Sequence, residues 1–157
     1  MIREFEPIVQ GIINLVNEWE PKLLGLPDDV ITERRNSQNR TIKQIVGHMI
    51  DSASNNTHRI VHLQYQPSPL RFPNYATHGN NDRWIAIQHY QEEDWKTIVS
   101  LWKYSNLHIA HVMQNVNPQK LENQWHYSEE ELISLKDGII DYLRHFKLHL
   151  EEIDLMI

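Results

Sequence analysis

Asp141-Tyr142-Leu143-Arg144-His145-Phe146-Lys147-Leu148-His149-Leu150-Glu151-Glu152-Ile153 lies in a stretch that carries no proline after Pro118. Apolar residues recur through it at helical spacing: Leu132, Leu135, Ile139, Leu143, Phe146, Leu150 and Ile153. The pattern predicts a long helix from Ser128 to about Asp154. Ser128 and Glu131 form its capping-box signature. On such a helix His145 and His149 stand one turn apart on a single face, the spacing at which one helix gives two nitrogens to one metal ion.

Three more segments carry the same periodicity. The first runs from about Pro7 to Trp19 through Ile8, Ile12 and Leu15, and is broken by Pro21, Gly25 and Pro27. The second begins at Thr41, with Gln44 completing a capping box, and ends near Gln64 ahead of Pro67 and Pro69. The third starts near Glu92 and ends before Pro118, with Trp95, Ile98, Val99, Trp102, Ile109 and Met113 on its apolar face. No strand alternation stands out. Four helices in a chain of 157 residues predict one domain over 1–157, an all-α four-helix bundle.

The link of residues 66–90 is too long for a simple antiparallel connection. It fits a crossover that leaves the second and third helices parallel, or a lid over a site. This choice decides which histidines can meet. His62 lies fourteen residues beyond His48, roughly 21 Å along a helix axis, so the two cannot share an ion. If the second and fourth helices are antiparallel, His48 reaches the level of His145 and His149. If they are parallel, His58 and His62 do. The long link favours His48 without excluding the other pair.

Composition narrows the chemistry. The chain has no cysteine, which excludes disulfides, thiolate ligands and a cysteine nucleophile. A transition-metal site must then use imidazole, carboxylate and water. Formal net charge is −6, which argues against a nucleic-acid partner. No apolar stretch approaches the ~20 residues of a membrane span, and Met1–Pro7 lacks a signal-peptide core. The expectation is a soluble, cytoplasmic protein.

Three stretches resemble the DinB/YfiT-like family of metalloenzymes. They are Thr41 to Arg59, including His48, Asp51, Asn55 and Asn56; Asn80 to Trp84 with the helix from Trp95; and Ser128 to Glu131 with Asp141 to His149. The resemblance covers nearly the whole chain. It implies an up-down-down-up bundle in which His48, His145 and His149 bind a divalent metal, zinc or nickel. It further implies a small-molecule substrate, with hydrolysis or transfer involving a low-molecular-weight thiol as the reaction, and a homodimer.

Three neutral imidazoles leave an open coordination position, the arrangement of a catalytic metal. A bound water there ionises near neutral pH, and a substrate thiol is activated in the same way. Asp141, one turn before His145, reads either as a carboxylate that orients that ring or as a surface group that is solvated or paired with Arg144 or Lys147. His48, Ser52, Asn55 and Arg59 form a polar row on the second helix. It reads either as a solvated edge or as the wall of a cavity. In the second case Arg59 offers a fork to a carboxylate or phosphate, Asn55 hydrogen-bonds the substrate, and Tyr75 and Trp84 close over it. His58 and His62, like His108 and His111, read as exposed faces. Arg34, Arg35, Arg40 and Lys43 read as a solvated cluster or an anion-binding rim.

Overall fold

The computed structural model describes residues 1–157. Four long helices carry the fold: α1 (Glu6–Leu24), α3 (Ile42–Leu63), α5 (Trp95–Gln114) and α6 (Leu135–Asp154). Two short helices, α2 (Asp28–Thr32) and α4 (Asn80–Ile87), lie in the connections. An antiparallel hairpin, β1 (Gln124–His126) and β2 (Leu132–Ser134), precedes α6.

Hydrogen bonds at the helix ends fix their directions. Trp95 Nε1 at the start of α5 donates to the Leu23 carbonyl at the end of α1, 2.9 Å away, so these two are antiparallel. Thr41 at the start of α3 bonds Gln91 just ahead of α5, and Gln64 at the end of α3 accepts from the Asn117 amide just past α5. Helices α3 and α5 therefore run parallel. At one end of the α3–α6 pair, Asn123 donates to the Leu63 carbonyl and accepts from the Leu135 amide. At the other, Arg34 donates to the Met156 carbonyl. Helices α3 and α6 are antiparallel, and the bundle is up-down-down-up.

One contiguous apolar cluster fills the space between the long helices. It includes Phe5, Ile12, Ile45, Trp102, Ile109 and Phe146, each no more than 3% exposed. A polar pair is built into it. Tyr142 of α6 donates to Asn106 of α5 over 2.8 Å, and Asn106 donates in turn to the Trp102 carbonyl. Burial of these groups is tolerated because each is partnered.

The boundaries correct the sequence reading in three places. Helix α1 continues past Pro21 to Leu24, because the completely buried Leu23 holds the last turn against the core and Gly25 closes it on the Pro21 carbonyl. The fourth helix starts at Leu135 and not Ser128. Ser128 does accept from the Glu131 amide, but as the tight turn of the hairpin. The same local bond serves a helix cap or a turn, and the cap of α6 is Ser134, which accepts from the Asp137 amide. The hairpin itself escaped the periodicity because its strands are three residues each. Thr41 and Gln44 do form a reciprocal capping box on α3.

The crossover is anchored at both ends. Leu70 pairs with the hairpin by two backbone bonds, to Gln124 and His126. Farther on, Tyr90 lies flat against α3 at Gly47, where an added Cβ would come within 2.3 Å of its ring. The Tyr90 hydroxyl donates to Asp51 over 2.7 Å, as does Gln88. Tyr90 is buried and tethered, so it cannot yield to a methyl group. Gly47→Ala is expected to destabilise the fold by about 1–3 kcal/mol through overpacking, read as a lower urea midpoint at unchanged m-value.

Candidate metal centre and substrate cavity

His48 lies on the second turn of α3, and His145 and His149 on the second half of α6. Antiparallel packing brings the three to one level. One ligand nitrogen from each can be chosen so that all lie within 4.8 Å of one another. The His145 and His149 Nε2 atoms are 3.1 Å apart. The His48 and His149 ring centroids are 4.6 Å apart and nearly perpendicular. His58 and His62 stand at the far end of α3. The His62 Nδ1 is engaged by the Tyr65 hydroxyl at 2.8 Å, so this pair takes no part in the cluster.

The cluster is electrostatically a site for neutral imidazoles. Burial is the main cause in each case. It lowers His48 to about 2, with further lowering from the neighbouring His149, Arg40 and His145. It lowers His145 to about 4, assisted by His149 and Arg144. His149 is lowered too, against an opposing hydrogen bond from Glu152. Neutral imidazole is the form that offers a lone pair to a metal. The His48 Nδ1 is buried without a partner, an orphan that a native structure rarely leaves. Donor type, convergence, charge state and this free nitrogen all fit a divalent ion held by three imidazoles.

Of the two readings of Asp141, the structure has the surface pair. Asp141 is turned to Arg144, with bonds of 2.6 and 3.1 Å. Glu152 instead sits 3.1 Å from the His149 Nδ1, where it sets the tautomer and leaves Nε2 facing the other rings. The signal was legible as His149-x-x-Glu152, three residues apart on one helix face.

A cavity of about 460 Å³ opens beside His145. Ser52, Asn56 and Arg59 of α3 form one wall, the crossover residues Asn74–Thr77 another, and Trp125 and Tyr127 of the hairpin a third. Trp125 approaches α6 closely because residue 138 is glycine; a Cβ there would lie 2.2 Å from the indole. Of the expected polar row, Ser52 and Arg59 face the cavity. Asn55 does not: its amide is spent on the Asp51 carbonyl, and Asn56, one position on, lines the space. Trp84 packs edge-to-face on Tyr75 from outside the lining, and Tyr75 itself closes the wall. Burial raises the Tyr75 phenol above its ordinary value, partly offset by Ser52, the Arg59 charge and Asn56. Tyr75 lies 6.4 Å from the His48 ring, centroid to centroid.

The basic cluster ahead of α3 is structural. Arg40 is buried and bonds Asp82 of α4 through Nε and Nη2, and Arg35 donates to the Asn39 carbonyl. His108 and His111 are exposed on α5.

No protein-family model and no curated protein matches the chain. Solved structures do. YfiT from Bacillus subtilis, described as a probable metal-dependent hydrolase with an unusual four-helix bundle topology, superposes with a TM-score of 0.81 over 99% of this chain and 87% of its own, at 15% identity. The chain has the DinB/YfiT-like fold. Mycothiol-dependent maleylpyruvate isomerase matches in two structures at a TM-score of 0.76 and 9% identity. They cover 95% of this chain, which spans 60% of the isomerase. No helix of this DinB/YfiT-like bundle is long and apolar enough to cross a membrane.

In the metal-free protein the histidines weaken the fold in acid, while Asp51, raised to about 6 by burial, works in the opposite direction. The histidines' folded values lie below the 6.5 of the unfolded chain, so the native state binds fewer protons. The stability they provide is fully present above pH 6.5 and is lost as pH falls, for His145 down to about 4 and for His48 down to about 2. Each contributes a slope of at most about 1.4 kcal/mol per pH unit. Urea titrations in chelator between pH 6 and 4 are expected to show a shallower loss for His145→Gln than for the wild type, by up to that amount.

Proposed function

We propose that this chain is a divalent-metal-dependent enzyme acting on a small molecule. His48, His145 and His149 hold the ion, zinc or nickel, and the adjoining cavity receives the substrate. The convergence of three neutral imidazoles, His48 and His149 buried and His145 half-buried, at one edge of a cavity is the observation that carries the reading. The two solved relatives support it in kind, one a probable metal-dependent hydrolase and the other a thiol-dependent isomerase. The reaction is accordingly a hydrolysis or an S-transfer with a low-molecular-weight thiol.

When bound, a divalent ion supplies a Lewis acid that lowers the pKa of a water or of a substrate thiol into the neutral range. The chain's own residues do the rest. Glu152 accepts from the His149 Nδ1–H and fixes that ring. Asp51, Gln88 and Tyr90 tie the end of the crossover to α3 three residues beyond His48, holding that side of the site. Trp125 and Tyr75 restrict water and give the substrate two aromatic faces. Tyr75 keeps its proton at neutral pH and donates a hydrogen bond to a substrate oxygen. Ser52 and Asn56 position polar substituents along the α3 wall.

Elemental analysis of tag-free protein tests the metal site. About one zinc or nickel ion per chain is expected in the wild type and in His62→Ala, with loss in His48→Ala and His145→Ala. Zinc at a hundred times its Kd should stabilise the wild type by about 2.7 kcal/mol and leave His48→Ala unmoved. Metal lost with His62 and kept with His48 refutes the assignment. Hydrolase and thiol-transfer substrates are then screened on the loaded protein. Turnover abolished by His48→Ala with an intact circular dichroism spectrum marks an enzyme; binding without turnover marks a metal or ligand carrier.

A further inference from the structure

Arg59 is 8% exposed and makes no ion pair. Its guanidinium has five donor hydrogens. Only Nη1 is used within the protein, in a 3.0 Å bond to Asn56 Oδ1, and Nε is buried with no acceptor. The group is held between two rings: the Trp125 ring centroid lies 4.7 Å from its central carbon and the Phe72 centroid 5.8 Å. These rings come from the hairpin and the crossover, the two segments that build the outer walls of the cavity. Aromatic faces fix the plane of the guanidinium but do not neutralise its charge or satisfy its donors. Burying an unpaired charge is costly, and here the fold bears that cost at a wall of the cavity.

The other charged side chains of the lining leave this charge unbalanced. Asp141 and Arg144 pair with each other through two bonds. His145 is one of the three clustered imidazoles. Among the chain's own side chains the lining thus leaves one positive charge unpaired, on a planar fork with free donors. A planar carboxylate matches that fork in geometry, with two oxygens facing two parallel N–H donors.

We propose that Arg59 is the recognition group for a carboxylate on the substrate, which places the carboxylate between Trp125 and Phe72 and directs the rest of the molecule toward the three imidazoles. The inference rests on the cavity being the substrate site. It names the substrate class as small carboxylic acids, with the reacting bond removed from the carboxylate.

Ligand-induced thermal shifts test it, with benzoate and succinate as carboxylate probes, benzamide as the uncharged counterpart and inorganic phosphate as the competing anion. Benzoate or succinate is expected to raise the wild-type Tm while benzamide does not, and affinity should fall at least tenfold in Arg59→Gln and partly recover in Arg59→Lys. Arg59→Met removes the unpaired charge and keeps an apolar stem between the rings. Without ligand its Tm is expected to rise by about 2–4 °C while the carboxylate response disappears. A purely structural Arg59 predicts the opposite sign for that variant. A lower Tm in Arg59→Met, an unchanged carboxylate response in Arg59→Gln, a tighter response to phosphate, or no response to either carboxylate each overturns the proposal. The same titrations in chelator and on His48→Ala, with metal content measured in each sample, separate the two readings. Carboxylate binding that survives without metal supports this assignment even if the metal assignment fails, and metal binding without a carboxylate response refutes this assignment alone.

Discussion

One ligand nitrogen from each of three imidazoles on two helices lies within 4.8 Å of the others, and this requires α3 and α6 to run antiparallel. That requirement propagates through the chain. With α6 returning alongside α1, α3 and α5 must point the same way. The connection between them has to travel the length of the bundle, and it does so as a crossover containing α4. The segment that satisfies topology therefore also passes the mouth of the site, where Tyr75 and Phe72 become walls of the cavity or of its arginine clamp. A short hairpin between α3 and α5 would have brought the wrong histidines to α6 and left nothing to cover the polar row of α3.

The polar groups of the interior divide by whether they are satisfied. Asn106, Tyr142 and the Trp102 carbonyl form a closed chain of hydrogen bonds in the core. Arg40 is buried against Asp82, which joins the base of α3 to the crossover. By contrast, the His48 Nδ1 and the Arg59 Nε lack partners, and both lie on the α3 face that looks toward the imidazole cluster and the cavity. Trp102 Nε1 and three other buried polar atoms also lack partners, but these two are nitrogens on the α3 side that borders the imidazole cluster and the cavity, where a ligand would complete them. The depressed histidine values come mainly from burial, which at His149 outweighs the opposing Glu152 and keeps the ring neutral with its lone pair available.

Much of this was legible in the residues. The heptad-like spacing of Ile42, Ile45, Met49 and Ile60, and of Leu135, Ile139, Phe146 and Ile153, marked two of the long helices, and Thr41 with Gln44 marked a true start. The His145–His149 pair was visible as a one-turn spacing. What failed was local ambiguity. Ser128 and Glu131 make the same short hydrogen bond in a hairpin turn as in a helix cap, and strands of three residues are too brief to show alternation. On α3, positions 55 and 56 both border the polar row, and a rotation of one residue exchanges which of them faces the cavity. Asp141 and Glu152 each lie within a turn of a cluster histidine, but Arg144 claims the first and leaves the second to His149.

By itself the sequence determined the helical periodicity, the absence of cysteine ligands and cysteine nucleophiles, and the one-turn spacing of two imidazoles. These depend on neighbours within a few positions along the chain. Only the tertiary structure decided that His48 and not His62 joins that pair, that Glu152 orients it, and that Arg59 is clamped between Trp125 and Phe72 with no carboxylate in reach. Those facts depend on helix direction and on side chains far apart in sequence meeting in one cavity. Helix direction is set by how all the apolar faces close on a shared core and by the path the crossover must take, which no local pattern encodes.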